Sequence, residues 1–193
     1  MVPVGKGVEA PLSHGPAQPG GGDYRKIFRG RMADGKKEFQ KTLVSEKRVR
    51  PLLNSVFHSR SEKETLAWAK KFARRLGPGD CVALTGTIGS GKTFFIKGLA
   101  GGLGVKNRER VKSPTFVLLH LYEGKFPVRH FDLYRLEREG DLDAIGFEEF
   151  ARDPESLSLV EWADRAAERI PQNAFWLHFE ITGPHSRKIT VNR

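Results

Sequence analysis

Residues 86–93, Gly-Thr-Ile-Gly-Ser-Gly-Lys-Thr, constrain this chain more than any other segment, because they satisfy the pattern G-x-x-x-x-G-K-[ST] of a phosphate-binding loop. Such a loop belongs between a strand and a helix. Both neighbours are predicted: residues 81–85 form a short apolar run typical of a buried strand, and residues 92–103 carry apolar side chains at helical spacing. The sequence therefore predicts a phosphate site at the start of a helix.

Each residue type in this loop suits the chemistry of a nucleoside triphosphate. Glycines permit backbone angles that let successive N–H groups converge on phosphate oxygens, and the helix start adds a positive dipole. Lys92 would supply a full charge to the β and γ oxygens, and the Thr93 hydroxyl would ligate Mg²⁺. The predicted nucleotide-binding set within the loop is Gly86, Thr87, Gly89, Ser90, Gly91, Lys92 and Thr93.

Hydrolysis of a triphosphate also needs an acid in the metal shell and a group that positions water. Two acids end apolar stretches: Asp132 follows residues 128–131, which alternate in polarity, and Glu161 follows the more apolar residues 157–160. Spacing alone divides the two roles evenly between them, although the pattern favours Glu161 as the metal acid.

Two further sequence features have alternative interpretations. The segment Ser-Pro-Thr at residues 113–115 either places a hydroxyl toward the γ-phosphate or merely begins a strand. His130 precedes Asp132 on a predicted strand, where a histidine is more often satisfied within the packing than functional.

Strand and helix patterns alternate along the chain, which predicts an α/β fold: a single P-loop NTPase-like domain with three layers and a mostly parallel sheet. The predicted helices are 61–76 and 92–103, with a loop and short helix in 137–149 and a helical turn at 163–169. The predicted strands are 81–85, 115–122, 127–134, 156–162, 174–182 and 188–191.

The net charge of +10 over 193 residues is unevenly distributed. Residues 1–55 carry 11 Lys/Arg and 5 Asp/Glu, so this Gly/Pro-led segment holds +6, and we expect it to be a disordered basic extension. Residues 56–193 hold the remaining +4 and form the predicted P-loop domain. A single cysteine excludes an internal disulfide, and the composition predicts a soluble, cytoplasmic protein.

Four motifs in order resemble the TsaE family, the bacterial ATPases of tRNA threonylcarbamoyladenosine synthesis. They are the loop at 86–93, Ser-Pro-Thr-Phe at 113–116, His-Phe-Asp-Leu-Tyr-Arg-Leu at 130–136 and Glu-Trp at 161–162, and the resemblance covers about residues 58–191. It implies binding and slow hydrolysis of ATP with Mg²⁺. It also implies a partner of the TsaB–TsaD type that modifies the adenosine beside the anticodon, with tRNA contacted indirectly through partners.

The resemblance also assigns roles that spacing left open. It makes Asp132 the acid near Mg²⁺, Thr115 the residue that senses the γ-phosphate, and Glu161 with Trp162 the pair needed for turnover. One departure from the family pattern is Thr87, which stands where the family usually has an acidic residue. The family pattern therefore does not carry over at this position for the rate of ATP hydrolysis or for the contact with the partner.

Two other functions fit parts of the sequence. A small-molecule or nucleoside kinase shares the P-loop but needs an acceptor pocket and several arginines over the phosphates. A nucleic-acid-binding module would use the basic extension and bind nucleotide only incidentally. The near-balanced charge of residues 56–193 argues against the second interpretation.

Overall fold

A computed structural model describes residues 54–106, 109, 111–114, 118–136 and 138–193. Within these residues the strands are β1 Ser55–Ser59, β2 Cys81–Gly86, β3 Leu119–Glu123, β4 Pro127–Asp132, β5 Leu157–Glu161, β6 Phe175–Ile181 and β7 Arg187–Asn192. The helices are α1 Glu62–Ala73, α2 Lys92–Gly102, α3 Glu139–Ala144 and α4 Phe147–Ala151, and a 3₁₀ segment spans Ala163–Arg169.

The strands form one sheet in the order β1-β7-β6-β2-β5-β4-β3. β6, β2, β5 and β4 run parallel at its centre. The predicted hairpin β3–β4 and the closing pair β6–β7 supply antiparallel edges, and β1 pairs antiparallel with β7. This arrangement confirms the predicted α/β fold with a mostly parallel sheet.

Strand β2 lies at the centre of the sheet and is buried on both faces, as its apolar run predicts. Val82 and Leu84 pack into the core beneath α1 and α2, whereas Cys81 and Ala83 pack on the opposite face with residues of α3, α4 and the 3₁₀ segment. Burial raises the pKa of the Cys81 thiol to about 12. The alternation of side chains along one strand therefore builds both layers of the core.

Helix α1 begins where the sequence predicts. Ser61 is its N-cap, and its hydroxyl accepts a hydrogen bond from the Glu64 N–H at 3.2 Å. The Glu64 carboxylate accepts in turn from the Arg60 N–H at 2.8 Å, one residue before the cap. The regular helix ends at Ala73, three residues short of the predicted end, with Arg74 as its C-cap.

Helices α1 and α2 approach each other closely because α2 carries glycine on the contact face. A Cβ added at Gly98 would lie 2.5 Å from the Cβ of Ala69, and one added at Gly102 would lie 2.6 Å from that of Ala73. Two glycine–alanine contacts one turn apart therefore set the distance between the helices that cover the phosphate-loop strand.

Strand β1, at Ser55–Ser59, was not predicted from the sequence. Its five residues pair with β7 in the register Ser55 to Val191 through Ser59 to Arg187, and the Phe57 ring stacks on Trp68 at 4.6 Å between centroids. The predicted extension, residues 1–55, lies outside the described residues except for Asn54 and Ser55, so the predicted boundary stays a prediction.

Two predicted strands have different bounds in the structure. The strand predicted over 127–134 stops at Asp132, because the Asp132 carboxylate accepts a hydrogen bond from the Tyr134 N–H at 2.9 Å and turns the chain. The strand predicted over 115–122 is described only from residue 118 onward and begins at Leu119, since residues 115–117 lie outside the described part of the chain.

Candidate functional site

The candidate site lies at the carboxyl edge of the parallel strands. The loop at 86–93 follows β2, Glu161 ends β5 and Asp132 ends β4. In the register of the sheet, Leu84 pairs with Glu161, and Glu161 pairs with Asp132. Because carboxyl ends of parallel strands meet at one edge, residues distant in sequence come together there.

The loop depends on glycine at two positions. Gly86 has φ +128°, and a Cβ there would lie 2.4 Å from the Phe179 carbonyl oxygen, so any side chain would push the loop away from β6. Gly91 has φ +101° and forms the N-cap of α2 without a side-chain hydrogen bond. The N–H groups of the first turn of α2 have no intrahelical acceptors, so they are available to an anion.

Lys92 is buried at 4% exposure, yet the oxygens that it contacts are all neutral. Its ammonium donates to the carbonyls of Gly86 at 2.7 Å and Thr87 at 2.9 Å and, more weakly, to the Ser90 hydroxyl at 3.5 Å. Burial lowers the pKa of Lys92, which nearby acids including Glu161 partly oppose. A phosphate oxygen would be a stronger acceptor than these carbonyls.

The Thr93 hydroxyl contacts one of the two predicted acids directly. It donates to Oε2 of Glu161 at 2.8 Å, and Oε1 of the same carboxylate lies 2.8 Å from Nε2 of His130. Glu161 is 2% exposed and His130 is fully buried. Because a hydroxyl keeps two lone pairs while it donates its hydrogen, Thr93 can still offer its oxygen to a cation.

Asp132 is held by different partners at the same edge. Its carboxylate accepts from the Ser113 hydroxyl and from the Tyr134 N–H. It is 2% exposed, and its charge reaches Lys92, whose pKa it helps to raise against the effect of burial. The sequence predicts that a hydroxyl of residues 113–115 faces the γ-phosphate, and it does not predict this contact between Ser113 and Asp132.

Trp162 covers Lys92 from above the sheet edge. The Lys92 ammonium lies 3.8 Å from the centre of the Trp162 ring, and the Tyr134 ring lies 5.0 Å from it on centroids. Trp162 has φ +57° and ψ +39°, a left-handed backbone that is uncommon for a bulky side chain. The turn after Glu161 therefore directs the indole onto the lysine.

The remaining predicted residues fall in three places. Thr87 and Gly89 are both exposed, and a Cβ added at Gly89 would meet no atom within 4 Å, so the loop surface is open to a ligand. Ser90 is fully buried beneath the loop. Thr115 lies outside the described residues, so its predicted role is not addressed by the structure.

Arg187, on β7, is a site residue that the sequence analysis missed. Its guanidinium donates to the Ser90 carbonyl at 3.0 Å and the Gly89 carbonyl at 3.3 Å. The same group donates to the carbonyls of Gly183 at 3.1 Å and Ser186 at 2.8 Å in the β6–β7 turn. No local signal marks this residue, because its partners in the loop are 97 and 98 positions away.

The donor set suits a hard divalent cation. Thr93 offers a hydroxyl oxygen, and Asp132 and Glu161 offer carboxylate oxygens, the ligand types that Mg²⁺ prefers. In the part of the chain that the structure describes, no group of three or more His, Cys, Asp or Glu side chains is arranged to hold a metal ion.

The fold and this edge of the sheet define a class: a P-loop NTPase-like protein. A family model described as "Threonylcarbamoyl adenosine biosynthesis protein TsaE" matches residues 59–189, well over half of the chain. The chain belongs to the TsaE family.

Individual relatives agree with the family match. A protein of Treponema pallidum named tRNA threonylcarbamoyladenosine biosynthesis protein TsaE is 37% identical over 133 residues, which span 69% of this chain and 96% of the relative. A protein of Aquifex aeolicus with the same name is 38% identical over 134 residues, 69% of this chain and 92% of the relative. The crystal structure of YdiB from Bacillus subtilis matches with a TM-score of 0.56 and 33% identity, covering 71% of this chain and 83% of that one.

Among the described residues, no helix is both long and apolar enough to span a bilayer.

Proposed function

We propose that this protein is a Mg²⁺-dependent ATPase that supports the formation of threonylcarbamoyladenosine in tRNA. The observation that carries the proposal is the buried Lys92 at the start of α2, whose ammonium, among the described residues, contacts only neutral oxygens and the Trp162 ring. A buried cation beside an open glycine loop and unpaired helix N–H groups is suited to bind the phosphates of a nucleotide.

In this proposal the loop residues bind the phosphates and orient the γ-phosphoryl group. Lys92 leaves its loop carbonyls for the β and γ oxygens, the loop N–H groups bind the remaining oxygens, and Trp162 lies beside the nucleotide. Thr93 and Asp132 would hold Mg²⁺, which when bound neutralises charge on the phosphate oxygens. Thr115 would respond to the γ-phosphate.

Glu161 is proposed as the residue that positions water. Hydrolysis forms a bond from the water oxygen to the γ-phosphorus, breaks the bond from that phosphorus to the bridging oxygen, and releases ADP and phosphate. The carboxylate ends β5 next to Thr93, within reach of groups bound at the loop. Catalysis would therefore rest on orientation and electrostatic stabilisation without a covalent intermediate.

The family also supports proposals about partners. By its resemblance to TsaE proteins, this chain would act with a complex of the TsaB–TsaD type, and tRNA would be reached through that complex. A cytoplasmic location stays a prediction of the sequence. A pull-down from extract of the source cell, with and without ATP, tests whether a partner is held in a nucleotide-dependent way.

The variant Lys92→Ala tests the site. We expect the wild-type protein to bind and hydrolyse Mg-ATP, and Lys92→Ala to lose about 100-fold or more in kcat/KM, because the loop loses its charge at the phosphates. Binding of a fluorescent ATP analogue and phosphate release measure the two steps.

Lys97→Ala is the matched control, since Lys97 lies on the same helix, five residues further from the loop, and the charge change is identical. Equal binding and turnover in wild type and Lys92→Ala would overturn the site assignment. Phosphate transfer to a small-molecule acceptor in place of water would instead favour a kinase.

A further inference from the structure

The fully buried His130 is placed by the sheet beside the proposed water-positioning carboxylate. In the register of the sheet His130 lies opposite His120 of β3 and Leu159 of β5, two residues before Asp132. Residues two apart on a strand share a face, so His130 and Asp132 point to the same side of the sheet. Glu161 follows Leu159 by two residues in β5, and its carboxylate lies within hydrogen-bond distance of the imidazole.

Both oxygens of the Glu161 carboxylate are engaged, each by a different element. Oε2 accepts from Thr93 at the start of α2, and Oε1 lies 2.8 Å from Nε2 of His130 on β4. Because a carboxylate only accepts, Nε2 of the imidazole is the donor in this contact. The two hydrogen bonds together fix the direction in which the carboxylate faces the loop.

The far edge of the imidazole also meets a polar group. The Tyr122 hydroxyl lies 3.5 Å from Nδ1 of His130, and it donates to the Lys112 carbonyl at 3.3 Å. Burial raises the pKa of Tyr122 to about 12, so this phenol stays protonated over the neutral pH range. The phenol therefore contacts the Nδ1 edge of His130, and Nε2 at the opposite edge donates to Glu161.

We propose that His130 is a positioning residue, which orients the Glu161 carboxylate by donating Nε2–H to Oε1 while Thr93 occupies Oε2. This inference rests on the proposed ATPase function, in which Glu161 positions the attacking water. Without the imidazole, Oε1 would be buried with one partner fewer, and the carboxylate would be free to rotate away from the reacting water.

A histidine that only fills space would behave differently from one that orients a carboxylate. Loss of packing lowers stability whatever replaces the side chain, and it does not depend on the identity of residue 161. Loss of orientation lowers kcat more than nucleotide affinity, and a side chain that restores the donor restores kcat. The variants are therefore chosen to remove the hydrogen-bond donor at residue 130, to restore it, and to change residue 161.

The test compares His130→Leu with His130→Gln in the full-length chain. Leu removes the donor, whereas the Gln amide nitrogen reaches about as far as Nε2. We expect His130→Leu to lower kcat about tenfold or more, with the dissociation constant of a fluorescent ATP analogue changed by less than about threefold. We expect His130→Gln to recover most of that kcat.

Thermal unfolding of each variant controls for folding. If His130→Leu does not fold, His130→Asn replaces it, because the Asn amide is one carbon too short to reach Glu161 and should show the low kcat instead. Wild-type kcat in the variant without the donor, or an equal loss with Gln, overturns the proposal.

A second measurement asks whether His130 acts through Glu161. In a Glu161→Gln background, we expect the change at His130 to lower the residual kcat by less than about twofold, because the carboxylate that it orients is gone. The same fold loss in both backgrounds would overturn the proposal.

Failure of this inference is distinguishable from failure of the proposed function. If the wild-type chain hydrolyses ATP and Lys92→Ala does not, an unaffected His130→Leu removes only the positioning role. If the wild-type chain shows no hydrolysis, nitrogen NMR of the His130 ring still tests the contact. We then expect the Nε2 resonance to shift on Glu161→Gln, and an unchanged resonance would overturn the contact itself.

Discussion

Arg187 ties the phosphate loop to the β6–β7 turn by donating to carbonyl oxygens of both segments. Its guanidinium reaches the loop at Ser90 and Gly89 and the turn at Gly183 and Ser186. A planar fork with five N–H donors can bridge these acceptors at once, which a lysine ammonium on a flexible stem cannot do in the same geometry. The position of the loop therefore depends on one side chain from a distant strand.

The substitution Arg187→Lys keeps the charge and loses the fork. We expect nucleotide affinity to fall several-fold and the free energy of unfolding to fall by about 1–2 kcal/mol, because the loop loses hydrogen bonds that hold its shape. Titration with a fluorescent ATP analogue and urea unfolding measure the two effects. Lys188→Gln is the matched control, since Lys188 is the next residue and its ammonium bonds Glu180, 2.8 Å away, in place of the loop. Unchanged affinity in Arg187→Lys would contradict the prediction.

At the scale of elements, the close packing of α1 on α2 depends on two glycines of α2, which have no side chain. Gly98 and Gly102 bring the backbone of α2 against Ala69 and Ala73 of α1. A methyl group at Gly98 would also lie 3.2 Å from the Leu66 carbonyl oxygen, so neither neighbour is a flexible chain end that can move aside. These contacts fix the position of α2, the helix that begins with Lys92, against α1.

We expect Gly98→Ala to lower the free energy of unfolding by about 1–3 kcal/mol, because the added methyl group forces the two helices apart. Equilibrium urea unfolding measures the change. Gly140→Ala in α3 is the control: a Cβ there meets nothing within 4 Å, and alanine in a helix should be neutral or stabilising by about 0.5–1 kcal/mol. The prediction is wrong if the two variants unfold alike.

The elements around the loop were predictable because their signals are local. The apolar run of β2, the spacing of α2 and the cap at Ser61 each lie within a few residues of the structure that they specify. Strand β1 was missed because it is short, half exposed and paired with β7 more than 125 residues further along the chain. A strand pairing between residues so far apart cannot be detected from the local sequence pattern around either strand.

The same reasoning applies to the site. The motifs identified the loop, Asp132 and Glu161, whereas the hydrogen bond from His130 to Glu161 exists because β4 lies beside β5 in the sheet. Sequence spacing gives no strand order, so it could not join these two residues. Arg187 was missed for the same reason, since only the folding of β7 back beside β6 brings it near the loop.

At the scale of the whole molecule, more than half of the net positive charge lies in a part of the chain that does not contain the candidate site. Every Lys and Arg of residues 1–55 lies within residues 1–50, so a protein that lacks residues 1–50 keeps β1 and drops from +10 to +4. Residues 54–193 contain every described contact of the site. Deletion of residues 1–50 therefore removes more than half of the net charge and leaves the residues of the candidate site in place.

We expect the protein without residues 1–50 to keep its ATP turnover within about twofold, because the loop and its partners are intact. Removing residues 1–59 should instead lower the melting temperature, because β7 loses its partner strand and Trp68 loses the stacked Phe57 ring. Phosphate release and thermal unfolding of both proteins measure these effects. Loss of turnover on removal of residues 1–50 would show that the predicted division of the chain at residue 55 is wrong.

Cys81 gives the folded protein a practical property. It is the sole cysteine of the chain, and its side chain, at the start of β2, is fully buried. Burial disfavours the thiolate that reacts with alkylating reagents, so the native protein presents no reactive thiol. A cysteine introduced at Ile88, which is 71% exposed at the tip of the loop, would therefore be the single labelling site. A dye attached there would report loop movements without any need to remove a native cysteine first.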